Sequence, residues 1–166
     1  MVYRMAIQED IPQLISLGLL AYGEYFPQLS EENKTLMETN LTKPELYVNM
    51  MKIGKGFVAE IDDEIVGMGF LINSGHPTAI YPSDWCYIRM IGINPLFKGK
   101  GIASKITDLC IQEALEKNEK TIGLHTSEMM PTAQHIYKKK GFVVAKELDL
   151  IFGKRYWLYQ LNLQNE

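Results

Sequence analysis

Hydrophobic residues recur along this chain at two spacings, and the switches between them mark its elements. Leu14, Leu17 and Leu20, widened by Ile15 and Leu19, repeat at the interval of an amphipathic helix. Asp10 is a candidate N-cap for that helix. Pro12 falls in its first turn, where a missing N–H is harmless, and the helix is predicted to end near Tyr22 and Gly23. A short strand over 2–6 precedes it. Ser30, followed by Glu31 and Glu32, opens a second helical region, and Lys43-Pro44 breaks it ahead of a further helix over 44–53. The pattern then shortens to that of strands. Residues 56–61 and 65–73 read as a hairpin turned at Asp62-Asp63, and 84–94 is a β-rich run closed by Pro95. Ile102, Ile106, Leu109 and Cys110 restore helical spacing in a long helix to about 118. A strand over 121–126, a helix over 132–140 with Gly141 as its left-handed cap, and strands over 142–151 and 156–163 complete the reading. This order predicts a mixed α+β fold with one strand–helix–strand crossover in its middle.

At 166 residues the chain can bury a core without metals or disulfides, and one domain over 1–166 is expected. Lysine and arginine number 17 against 20 acidic residues, a formal net charge of −3 that lacks the basic excess of a nucleic-acid binder. Cys86 and Cys110 stand alone, outside any Cys/His cluster, so no metal site is expected and reduced core thiols are preferred over a disulfide. The opening residues carry no apolar signal core and no apolar run is long enough for a bilayer, which gives a cytoplasmic expectation with no membrane partner.

The densest candidate chemistry lies between the fourth predicted strand and the long helix. Ile91-Gly92-Ile93-Asn94-Pro95 ends the strand, and Lys98, Gly99, Lys100, Gly101, Ile102 and Ala103 form a basic, glycine-rich turn into the helix. A helix start offers N–H groups with no internal partner and the positive end of the dipole, a setting for a phosphate or pyrophosphate. The plainer reading is a tight strand-to-helix connection. No window matches a Walker A loop, and Pro95 with three more residues sets the first glycine too far from the strand for a dinucleotide fingerprint. The second candidate is Tyr137, which shares an apolar helix face with Ala133 and Ile136. It reads either as core or as a phenol able to hand over a proton.

Together these segments resemble the GNAT superfamily of N-acetyltransferases. In that family a strand ending like L-x-V-x-P precedes a turn of the form [QR]-x-x-G-x-[GA], here Ile91 to Pro95 and then Lys98 to Ala103, with Lys98 in place of the usual Gln or Arg. A later signature similar to A-x-x-x-Y-x-x-x-G-F is met by Ala133, Tyr137, Gly141 and Phe142. Met130 stands where an asparagine is often found. The resemblance covers nearly the whole chain. It implies a GNAT-like acyl-CoA N-acyltransferase fold, a central, mostly antiparallel twisted sheet flanked by helices.

The same resemblance implies acetyl-CoA as co-substrate, bound by backbone groups of Ile91 and Ile93 along its pantetheine arm and by the 98–103 turn. It further implies direct attack by an amine of a small molecule or protein, a backbone N–H holding the oxyanion, and Tyr137 protonating the leaving thiolate. Cys86 and Cys110 are assigned to packing. Asp84, Glu60, His125 and Glu128 are candidates for the base. The acceptor side would draw on Tyr22, Glu24, Tyr25, Phe26, His76, Tyr81 and Trp85, each of which also reads as ordinary core or surface. A non-catalytic acyl-CoA-binding module of the same fold is the alternative, and a homodimer stays open.

Overall fold

The structure is a computed structural model that describes residues 1–163. Its main elements are β1 (Val2–Met5), α1 (Ile11–Gly23), α2 (Glu31–Leu41), α3 (Pro44–Lys52), β2 (Gly54–Ile61), β3 (Glu64–Ile72), β4 (Cys86–Ile93), α4 (Ile102–Glu116), β5 (Thr121–Ser127), α5 (Pro131–Lys139), β6 (Val143–Glu147) and β7 (Tyr156–Asn162). The strands form one seven-stranded sheet in the order β1-β2-β3-β4-β5-β7-β6. Every neighbouring pair is antiparallel except β4 and β5, which are parallel because α4 carries the chain back between them. The mixed α+β fold with a mostly antiparallel sheet is therefore the one expected.

Two apolar layers cover the sheet. On one face Leu14 and Leu17 of α1 and Tyr47 and Met50 of α3 pack on Val58, Met68, Phe70 and Tyr87. On the other, Ile102 and Ile106 of α4 meet Ala59 and Val66. Further along, Cys110 and Ala114 join Leu71, Ile88 and Ile122, with Tyr137 and Phe142 in the same cluster. Both cysteines are free and fully buried.

The feature that shapes the function lies in β4. Gly67 pairs with Ile93, Met68 with Gly92 and Phe70 with Arg89, so both Met90 and Ile91 oppose Gly69. This is a β-bulge, and Met90 takes a left-handed φ of 60° within it. A bulge bends its strand and strengthens the local twist. Accordingly, β4 and β5 pair only through Cys86 with Ile122 and Tyr87 with Gly123, and the sheet opens beyond them.

Most predicted elements are present, with departures that have local causes. Asp10 is not a side-chain N-cap. A 3-10 turn over Gln8–Asp10 precedes α1, and the Asp10 carboxylate accepts from the Ile7 N–H at 2.8 Å while pairing with Arg4, also at 2.8 Å. Ser30 does cap α2, accepting from the Asn33 N–H at 3.1 Å. β4 starts at Cys86 rather than residue 84, because the Trp85 N–H is spent on the Pro82 carbonyl in the preceding turn. β6 stops at Glu147, short of residue 151. There Ile151 pairs with Lys154 across a tight turn with positive φ at Phe152 and Gly153.

Candidate functional site

The divergence of β4 from β5 opens a cleft of about 1070 Å³. It runs from the start of α4 on one face of the sheet, through the gap between the strands, to α1 and α3 on the other face.

The turn into α4 forms one end. The Asn94 carboxamide oxygen accepts from the Leu96 N–H at 3.0 Å and sets a 3-10 turn over Pro95–Phe97. Gly99 and Gly101 follow with φ of 77° and 78°, left-handed values that exclude most side chains. A Cβ at either would meet nothing within 4 Å, so conformation rather than crowding calls for glycine, and open space lies outside the turn. Lys105 is the first residue to donate back into the helix, to the Gly101 carbonyl at 3.0 Å. The N–H groups of Ile102, Ala103 and Ser104 thus have no intrahelical partner. Lys98, Gly99, Gly101, Ile102 and Ala103 line the cleft, whereas Lys100 is exposed and outside it. The Lys98 ammonium is ion-paired to Glu24, just past the end of α1.

Ile91 and Ile93 also line the cleft, and their side chains pack toward α4. Past Tyr87 the β5-facing edge of β4 has no strand partner. The Ile91 carbonyl accepts the Tyr22 hydroxyl at 3.1 Å.

Tyr137 of α5 lines the cleft and is 7% exposed. Its ring meets Phe142 edge-on at 5.9 Å, within the cluster that holds Ala133 and Ile136. Its hydroxyl has no hydrogen-bond partner among the described residues, yet no buried side-chain oxygen there is unsatisfied. The hydroxyl therefore meets the open cleft. Burial raises its pKa, with Cys110 and Tyr25 adding to the effect, so the phenol keeps its proton at neutral pH.

The far wall is aromatic. Tyr81 stacks on Tyr87 at 4.0 Å, its hydroxyl lies 2.6 Å from His125 Nδ1, and the His125 ring is tilted against Tyr156 at 5.8 Å. Burial first, and the Arg89 charge second, lower the His125 pKa to about 4, which leaves a neutral imidazole. Of the four candidates for a base, His125 alone lines the cleft. Glu60 pairs with Arg4, Glu128 accepts from the Arg155 N–H, and Asp84 is exposed away from it. Among the acceptor-side candidates, Tyr22, Glu24 and Tyr25 line the cleft. Tyr81 stands behind its wall, and Phe26, His76 and Trp85 do not line it. Arg89, Ser104 and Tyr156 line it without having been singled out from the sequence. Arg89 had a visible signal, as the only charge in the otherwise uncharged run Cys86–Ile93. Among the described residues no cluster of three or more His, Cys, Asp or Glu side chains could hold a metal ion, and no helix is long and apolar enough to cross a membrane.

Comparison with known proteins bears on this geometry. The family model for the Acetyltransferase (GNAT) family matches residues 22–142. The uncharacterised N-acetyltransferase YjgM of Escherichia coli strain K12 is 28% identical over 153 residues, covering 92% of this chain and 86% of its own. Among solved structures, the PaiA N-acetyltransferase of Thermoplasma acidophilum in complex with coenzyme A superposes with a TM-score of 0.76 at 15% identity, covering 98% of this chain and 99% of its own. An N-acetyltransferase from Staphylococcus aureus Mu50 gives 0.72 at 19% identity, with 98% of each chain covered. At such identities the structural likeness speaks for the fold alone.

Proposed function

We propose, from the premise that this chain belongs to the GNAT acetyltransferase family, that it transfers the acetyl group of acetyl-CoA to a primary amine by direct attack. The observation that carries the reading is the Tyr137 hydroxyl, protonated, unpartnered and open to the cleft between the split strands. A module that only bound acyl-CoA would have no use for a proton donor there.

The residues at the start of α4 suit the diphosphate of coenzyme A. Three N–H groups without helical partners, the positive end of the α4 dipole and two left-handed glycines opening on free space favour an anion over any neutral group. The pantetheine arm would run along the unpaired edge of β4 at Ile91 and Ile93, as an added strand. When bound, acetyl-CoA supplies an activated acyl carbon on a thiol leaving group.

The chain's own groups would then act as follows. An N–H at the Met90–Ile91 bulge would hold the developing oxyanion. The amine nitrogen bonds to the acyl carbon, the carbon–sulfur bond breaks, and the thiolate takes the Tyr137 proton. The low dielectric that raises the phenol pKa also raises that of the thiolate, so the transfer stays matched. The proton lost by nitrogen leaves to solvent, from which the Tyr137 phenolate regains its own. Lys98 would contribute its backbone to the turn, since Glu24 holds its ammonium.

The test is thiol release from acetyl-CoA across a panel of amines, with the acetylated product identified by mass. Amine-dependent release with one acetyl group on nitrogen is expected. Tight CoA binding with no release across a broad panel would favour the acyl-CoA-binding module instead.

A further inference from the structure

The arginines of this chain are Arg4, Arg89 and Arg155, and two of them have anionic partners. Arg4 pairs with Asp10 and Glu60, and Arg155 with Glu147. Among the described residues Arg89 has none: no carboxylate there lies within ion-pair distance of it, and its guanidinium makes no hydrogen bond. Yet it is half-buried and lines the cleft. None of its nitrogens is both buried and unpartnered, so the guanidinium meets the open cleft, where its N–H donors are available to an anion from solution.

Its surroundings sharpen the point. Arg89 lies one residue before the bulge at Met90, where the sheet splits. It shares the face of β4 with Tyr87, the face covered by α1 and α3 and opposite α4. Its charge is felt by Tyr22, Tyr81, Tyr87 and His125, none of which carries a negative charge at neutral pH. Glu24 and Glu45 also line the cleft, but Glu24 is taken by Lys98 and neither pairs with Arg89. The site for the coenzyme diphosphate, at the start of α4, is on the other face. Arg89 is thus an unpaired cation that faces the cleft on the side away from the diphosphate site.

We infer that Arg89 is the anion-recognition residue of the acceptor site, and that the acceptor is a small amine carrying its own oxyanion, carboxylate or phosphonate, close to the nitrogen that is acetylated. The inference rests on the acetyl-transfer reading and narrows it. A guanidinium presents two parallel N–H donors that match such an oxyanion bidentately, which fixes the direction of the amine as well as adding affinity. The aromatic wall of Tyr22, Tyr25 and Tyr156 beside it offers apolar contact to the rest of a small molecule. A lysine side chain within a protein carries no such anion beside its amine, so free amino acids and their analogues fit this site and protein lysines do not.

The experiment compares amines in matched pairs that differ only in the anion. One arm sets L-leucine, L-methionine and L-phenylalanine against isoamylamine, 3-methylthiopropylamine and phenethylamine. A second sets 2-aminoethylphosphonate against ethylamine, and the arm that shows the preference identifies the oxyanion. For the wild-type protein the anionic member of at least one pair should give a kcat/KM roughly 10-fold or more above its partner. In Arg89→Gln that ratio should fall by about 10–100-fold, the range of a lost charge-assisted pair, while the uncharged amine is affected far less. Arg89→Lys, which keeps the charge without the fork, should fall between and guards against a misfolded glutamine variant. Equal use of both members by the wild type, or equal loss for both in Arg89→Gln, would overturn the inference and leave acetyl transfer intact. If no amine turns over, stabilisation of the CoA-saturated protein by N-acetyl-L-phenylalanine over N-acetylphenethylamine, lost in Arg89→Gln, would uphold the anion site while refuting catalysis. No such difference would refute both.

Discussion

The Tyr22 hydroxyl donates to the Ile91 carbonyl at 3.1 Å, tying the last turn of α1 to the strand edge along which the cleft opens. The contact spans 69 residues of sequence and joins the proposed acceptor-side helix to the proposed pantetheine edge. Tyr22→Phe should therefore lose about 1 kcal/mol of stability, the net worth of one such hydrogen bond, which is roughly 2–4 °C in Tm for a chain of this size. It should also weaken CoA binding a few-fold, because the strand edge is less well held. Calorimetric melting and CoA titration of the two proteins would check both, and unchanged CoA affinity would separate Tyr22 from the cofactor edge.

At the other end of the cleft, Gly101 holds a φ of 78° at the N-cap of α4. Gly101→Glu would both strain that turn and set a carboxylate beside the three free N–H groups, in the place of the diphosphate. CoA should raise the Tm of the wild type by several degrees at 100-fold its Kd. The variant should bind at least about 10-fold more weakly. Equal affinity would remove the 98–103 turn from the cofactor site.

These glycines were legible in the sequence because a strand, a short glycine-rich turn and an amphipathic helix leave local marks at fixed spacing. Tyr137 was legible in the same way, through its helix face and the Gly141 cap, which has the expected positive φ of 102°. Arg89 showed only as a lone charge in its strand and Tyr156 not at all, since period-two alternation says which residues share a face but not where two strands part company. The split of β4 from β5 accompanies a bulge opposite Gly69, and no local pattern encodes it. Asp10 misled for a related reason: cap chemistry was visible, but the competing Arg4 carries no local signal. Of the histidines, only burial beside Arg89 sets His125 apart.

That burial predicts a pH dependence of stability. His125 has a folded pKa of about 4 against an ordinary value of 6.5, so between those values the unfolded chain binds the extra proton. The contribution is full above pH 6.5 and is lost as the pH falls toward 4, on the order of 3 kcal/mol in all. His125→Gln should flatten this part of the curve. Denaturant melts of both proteins from pH 7.5 to 4 would show it, and parallel curves would mean that His125 is not held neutral.

Neither cysteine is placed to act as a nucleophile. Burial is the largest cause that pushes the Cys86 thiol up to about 12, with Glu119 adding to it, and burial also raises Cys110, which is fully enclosed against α4 and the sheet. Cys86→Ala and Cys110→Ala should keep kcat within about twofold, each with a stability loss of about 1–2 kcal/mol from the vacated volume. Initial-rate lines should intersect, because both substrates must be bound together. Parallel lines, or acetylated protein trapped with acetyl-CoA alone, would replace direct attack with a covalent route.

The most direct measurement is the single-turnover rate of acetyl transfer in Tyr137→Phe, with saturating acetyl-CoA and the best amine of the panel. The substitution keeps the ring and its contact with Phe142 and removes the proton that meets the cleft. The rate should fall by roughly 10–10³-fold, the range for a positioned acid, while the Tm and the CoA Kd stay close to wild type. A single-turnover rate equal to that of the wild type, in a protein equally stable and equally able to bind CoA, would contradict the assignment of Tyr137 as the acid and the reading of the cleft built on it.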